Sequence, residues 1–127
     1  MSGGAASAGP HAALREAFAA RTRGEIERLG AGKPRPTGDW DSARVDARRT
    51  LHRMGGTAGS LGLHDLCWTG GAIEDAVAEC VDGAALAEVL REGAAALADA
   101  LARDLAAFER WDADARPGER DGTEPAA

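Results

Sequence analysis

Apolar side chains recur at intervals of three and four residues through most of the chain, which is the period of an amphipathic α-helix. The pattern predicts four helices, over about residues 11–29, 40–62, 63–80 and 84–111. In the first helix the predicted buried stripe is Leu14, Phe18, Ile26 and Leu29, and in the second it is Leu51, Met54, Ala58 and Leu61. The third buries Leu63, Leu66, Ile73, Val77 and Cys80, and the fourth buries Leu86, Leu90, Leu97, Leu101 and Phe108.

Helix-breaking residues separate these four segments. A glycine- and proline-rich stretch at 30–36 predicts a loop after the first helix. Asp39 or Asp41 can cap the start of the second helix, and Gly62 can end it in the left-handed conformation. The Gly70–Gly71 pair predicts either a close helix–helix approach or a bend in the third helix.

No segment alternates apolar and polar residues between turn signals, so the pattern predicts no strand. The fold class is therefore all-α. Short connections favour an antiparallel up-down-up-down four-helix bundle over 11–112, with disordered tails at 1–10 and 113–127 that are poor in large apolar side chains. A single closed bundle with a net negative charge also predicts a monomer.

The charge balance bears on the kind of partner. The formal net charge is −6, which argues against nucleic acid or an anionic membrane and favours a protein partner. No apolar run is long enough to span a bilayer, and residues 1–10 lack the features of a signal peptide, so we expect a cytoplasmic protein. The two cysteines, Cys67 and Cys80, lie about 20 Å apart on one predicted helix and form neither a disulfide nor a metal-ligand cluster.

The most informative feature is a histidine beside several glycines on one helix. His52 shares its helix face with Gly55, Gly56 and Gly59, which follow it by three, four and seven residues. Each glycine inside a helix costs about 0.5–1 kcal/mol relative to alanine. We therefore expect another molecule to come close to His52, which lies off the apolar stripe and should be exposed.

This run resembles the signature of the histidine-containing phosphotransfer (HPt) domain family, which is His-x-Leu-Lys-Gly-x-Ala with a glycine ten residues after the histidine. His52, Gly56, Ala58 and Gly62 match it, and Met54 replaces leucine. The Ile73–Glu74 pair is similar to a Leu-Glu pair that this family often has on its next helix, so the resemblance spans about residues 40–108. Gly55 stands where the family usually has lysine.

The resemblance implies a phosphoryl carrier. His52 would take a phosphoryl group from an aspartate on one receiver domain and pass it to another, with receivers of hybrid histidine kinases and response regulators as partners. The chain itself would need no cofactor, because the receivers supply Mg²⁺. Arg48 and Arg49 precede His52 on the same face and can replace the missing lysine, and the predicted receiver or phosphate contacts are Arg48, Arg49, Arg53, Gly55, Gly56 and Gly59. No nucleotide-binding motif is present, which argues against kinase activity with ATP.

Two other functions stay open. The replacement of lysine by Gly55 allows a degenerate, non-catalytic bundle that docks on a receiver or kinase without carrying phosphate. A helical structural protein is disfavoured by the glycines beside His52. His11 and His64 belong to no ligand cluster, and for Trp40, Trp68 and Trp111 packing at helix ends is favoured over a partner surface.

Overall fold

A computed structural model of the chain describes residues 3–31 and 39–114, with side chains from residue 11 onward. These residues form four α-helices, and none of them is in a strand. The helices are α1 (Gly3–Gly30), α2 (Trp40–Ser60), α3 (His64–Ala78) and α4 (Gly83–Asp114). The predicted all-α fold and the number of helices are confirmed.

The helices pack in the order α2, α3, α4, α1. Helix α2 lies against α3, α3 against α4, and α4 against α1, whereas α1 and α2 meet at few points. Helices α2 and α3 run antiparallel, since His52 lies opposite Glu74 and Gly59 lies opposite Cys67. The fourth side of the bundle is therefore a groove between α1 and α2.

Large apolar side chains from all four helices fill one core. Most predicted stripe residues are buried, but Leu14 is an exception, because its side chain is 56% exposed. Arg15 takes the inward position instead. Its guanidinium lies 3.8 Å from the centroid of the Phe108 ring and donates to Asp112 at 3.0 Å. An apolar arginine stem with a paired head group can thus cover the end of the core where leucine was predicted.

The helix boundaries differ from the predicted ones mainly at the ends. Helix α1 begins at Gly3 rather than His11, so most of the segment assigned to the N-terminal tail is helical, although its three glycines and Pro10 have low helix propensity. Helix α3 ends at Ala78, so Cys80 lies just beyond it. Helix α4 runs to Asp114, two residues into the predicted C-terminal tail. Residues 115–127 and most of the predicted 30–36 loop lie outside the described residues.

Hydrogen bonds hold both ends of the α2–α3 turn and connect the turn to α4. Gly62 adopts a left-handed conformation with φ of 80°, and Leu63 N–H then donates back to the Ala58 carbonyl at 2.8 Å. The N-cap residue of α3 is Leu63, whose apolar side chain cannot accept a hydrogen bond from the helix. Asp104, a buried residue of α4, accepts the backbone N–H groups of Asp65 and Leu66 at 3.1 and 2.8 Å. The start of α3 is therefore held by α4.

The start of α2 is capped as predicted, and Asp39 is the cap. Its carboxylate accepts the backbone N–H groups of Asp41 and Ser42 and the Ser42 hydroxyl. The hydroxyl of Ser42 first, and its N–H second, lower the pKa of Asp39 below the ordinary value of 3.8. Because the folded-state pKa is the lower one, this cap stabilises the fold above about pH 4 and is lost as the pH falls through the folded-state pKa.

We predict that Asp39→Ala lowers the melting temperature at pH 7 and that the difference from wild type shrinks below pH 3.8. Asp39→Asn is the matched control, since it keeps a capping oxygen and has no carboxyl group to titrate. Thermal unfolding followed by circular dichroism between pH 7 and pH 2.5 measures both effects. An equal wild-type-to-alanine difference at all pH values would contradict the prediction.

Candidate functional site

His52 stands on the outer face of α2, with its side chain 82% exposed. The residue before it, Leu51, is fully buried, and so is Met54 two residues after it. Burial of this apolar stripe fixes the rotation of α2 and leaves the imidazole on the solvent side. The predicted exposure of His52 is confirmed.

A carboxylate from α3 faces one nitrogen of the ring. Glu74 Oε1 lies 3.4 Å from His52 Nδ1, and the Glu74 side chain is only 21% exposed. A carboxylate at Nδ1 favours the tautomer that carries its hydrogen there, which leaves the lone pair on Nε2. Glu74 was not among the predicted site residues, although its place in the Ile73–Glu74 pair was the signal that could have identified it.

The glycines after His52 serve two different purposes. Gly56 is exposed, and a Cβ built on it would meet nothing within 4 Å. Gly55 is buried, and its Cβ would lie 3.6 Å from the Cys67 carbonyl oxygen of α3. At Gly59 a Cβ would lie 3.3 Å from Cys67 Sγ. The prediction of an open glycine face thus holds for Gly56 and is wrong for Gly55, which is an interhelical packing residue and cannot present a surface to a partner.

Gly70 on α3 completes the contact below the site. A Cβ at Gly70 would lie 3.7 Å from the Leu51 carbonyl oxygen and 3.8 Å from Gly55 Cα, so the two backbones approach closely here. Of the two predicted uses of Gly70–Gly71, close approach is therefore the observed one. Glu74 lies one helical turn beyond Gly70, and the close approach brings it within reach of His52.

The arginines of α2 divide into paired and unpaired groups. Arg44 donates to Asp41 and to the Ala78 carbonyl, and Arg53 donates to Glu25 of α1 at 2.7 Å. Arg48 and Arg49 are exposed and have no hydrogen-bond or ion-pair partner within the described residues. Arg53 is thus held on the α1 side, while Arg48 and Arg49 lie on the turn of α2 that precedes His52.

The remaining predicted features lie away from this site. His11 and His64 are exposed, and the described residues contain no group of three or more His, Cys, Asp or Glu side chains that could hold a metal ion. Trp40 packs against Gly83 as expected of a helix end. Trp68 and Trp111, however, are 81% and 64% exposed, so packing is the wrong explanation for them. Within the described part of the chain, no helix has the length and apolar character needed to cross a membrane.

Comparison with known protein families identifies the class of protein that has this fold and this exposed histidine. The family model "Hpt domain" matches residues 11–111, and the chain belongs to that family. This membership supports a phosphotransfer role in two-component signalling, in which Hpt domains interact with receiver domains. Searches of the curated proteins and of the solved structures each gave no match.

We predict that Gly56→Ala stabilises the fold by about 0.5–1 kcal/mol, because the added methyl group meets nothing and alanine has the higher helix propensity. Gly59→Ala is the matched control on the same helix. It should gain less, since its Cβ would lie 3.3 Å from Cys67 Sγ and that sulfur must shift. Urea unfolding gives both free energies, provided that the denaturant slope is unchanged. A larger gain for Gly59→Ala than for Gly56→Ala would refute this distinction.

Proposed function

We propose that this protein is a phosphoryl carrier in a multistep phosphorelay, in which His52 accepts a phosphoryl group from a receiver-domain aspartate and passes it to another receiver. The observation that carries the proposal is the exposed imidazole whose Nδ1 faces Glu74. A carrier needs a nucleophile that partners can reach and whose reactive nitrogen is defined. The proposal includes the cytoplasmic location and the monomeric state that the sequence predicts.

The transfer step uses the lone pair of Nε2. This nitrogen attacks the phosphorus of the aspartyl phosphate, a P–N bond forms, and the bond from phosphorus to the aspartyl oxygen breaks. The electron pair of that bond leaves with the receiver carboxylate. The ring keeps its Nδ1 hydrogen and becomes a positively charged imidazolium, and the Glu74 carboxylate 3.4 Å away stabilises this charge. Donation to a second receiver reverses these steps.

Both proteins provide positive charge for the negatively charged phosphoryl group. On this chain Arg48 and Arg49 lie one turn before His52, and neither has an ion-pair partner among residues 3–31 and 39–114, so both can approach the phosphoryl oxygens. They take the place of the lysine that the family usually has at the position of Gly55. The receiver is expected to supply Mg²⁺, so the carrier contributes mainly position and electrostatics.

We predict that His52→Gln abolishes labelling by phosphorylated receiver domains and leaves the fold intact, because the His52 side chain is 82% exposed. The measurement is transfer of radiolabelled phosphate from a panel of receivers, with the acid lability of the product tested as the signature of phosphohistidine. His64→Gln is the control, since His64 is an exposed histidine outside the site.

The same experiment separates the two functions that the sequence left open. Acid-labile label on wild type and on His64→Gln, but not on His52→Gln, is the expected result. Label that persists in His52→Gln would refute the assignment of the site. Receiver binding without any label on wild type would instead identify the non-catalytic docking bundle that Gly55 in place of lysine allows.

We predict that Glu74→Gln slows transfer about fivefold, the equivalent of about 1 kcal/mol for a partly screened charge contact. It should also shift the His52 tautomer away from the form with hydrogen on Nδ1, which ¹⁵N NMR of the ring detects directly. Asp75→Asn removes a carboxylate from the exposed neighbouring position and is the matched control. Equal rates and unchanged ring ¹⁵N shifts in Glu74→Gln would exclude this positioning role.

A further inference from the structure

Contacts between α2 and α3 determine which side of the molecule Trp68 occupies. His52 lies opposite Glu74, and Gly59 lies opposite Cys67. Trp68 follows Cys67, which faces α2, and is turned about 100° from it around the helix axis. Leu66, which is turned the same angle in the other direction, is fully buried in the core. Trp68 must therefore point outward, on the same face of the α2–α3 pair as His52.

Exposed glycines occupy the surface between these two side chains. Gly56 of α2 and Gly71 of α3 are both exposed, and a Cβ on either would meet nothing within 4 Å. We call this pair the glycine floor. It is bounded by the imidazole of His52 at one end and by the indole of Trp68, 81% exposed, at the other.

A protein interface of standard size that is centred on His52 is wide enough to reach Trp68. A standard interface covers ~800 Å² on each partner, which is a disc of about 16 Å radius. Trp68 is six residues from Glu74 on α3, or roughly 9 Å along the helix axis. A domain that is centred on His52 and brings an aspartate to Nε2 would therefore cover the indole as well.

We propose that Trp68 and the glycine floor form a docking surface for an apolar patch of the receiver domain, beside the receiver's phosphorylation site. This inference rests on the proposed function of His52. The two ends of this surface differ. Arg48 and Arg49, which are unpaired in the part of the chain that the structure describes, precede His52 on α2, and the glycine floor lies on the other side of His52. The acidic phosphorylation pocket of a receiver would face Arg48 and Arg49. An apolar patch of the receiver beside that pocket would face the glycine floor and Trp68. Tryptophan at such a position is a residue type that often dominates binding energy.

The test compares Trp68→Ala with wild type in two reactions. The first is phosphoryl transfer from a panel of phosphorylated receiver domains, and the second is chemical phosphorylation of His52 by phosphoramidate, which needs no docking. Trp111→Ala removes an equally large exposed indole from α4 and is the matched control. Gly71→Leu is a second variant that raises the glycine floor, and its Cβ would meet nothing within 4 Å.

The expected result is a loss of at least about 10-fold in kcat/KM for transfer from a receiver in Trp68→Ala and in Gly71→Leu. Trp111→Ala should behave as wild type, and phosphoramidate should label His52 equally in all four proteins. Receiver transfer at equal rates in all four would overturn the docking inference and leave the proposed function standing. A wild-type dimer that Trp68→Ala dissociates would also overturn it, since a second copy of this chain would then cover the indole. Absence of receiver transfer to wild type would overturn the proposed function and this inference with it.

Discussion

Helices α2 and α3 approach closely because neither Gly55 nor Gly70 carries a side chain where the two backbones meet. The geometry of the site depends on this contact. It sets the separation of the helices, and Glu74, one turn beyond Gly70, then lies 3.4 Å from His52. A side chain longer than alanine at either glycine would push the helices apart and remove the carboxylate from the imidazole. Two glycines that weaken their own helices thus bring the Glu74 carboxylate close to His52.

The contact with α4 keeps α3 in place from the other side. Asp104 accepts two N–H groups at the start of α3, where Leu63 provides no cap of its own. The N-terminus of a helix favours a nearby negative charge, and the buried Asp104 carboxylate supplies that charge to α3. Helix α3 is therefore fixed at its first turn by α4 and along one side by α2, which leaves its outer face available to a partner.

Hydrophobic periodicity predicted the helices well, because a stripe at intervals of three and four depends only on local sequence. It also predicted that His52 would be exposed, since the neighbouring Leu51 had to be buried. The same reasoning failed for Gly55. A helical wheel places Gly55 and Gly56 at similar angles from His52, but it does not say on which side α3 lies. The pairing of Arg53 with Glu25 was unpredictable for the same reason, because it depends on where α1 lies relative to α2.

The arrangement also explains why the family's lysine can be absent. At Gly55 a long side chain would begin in the buried contact between α2 and α3, where the gap to the Cys67 carbonyl leaves room for little more than a methyl group. Arg48 and Arg49 precede His52 and lie in solvent, outside this contact. Because neither side chain enters the contact between α2 and α3, the two helices pack closely with Glu74 3.4 Å from His52.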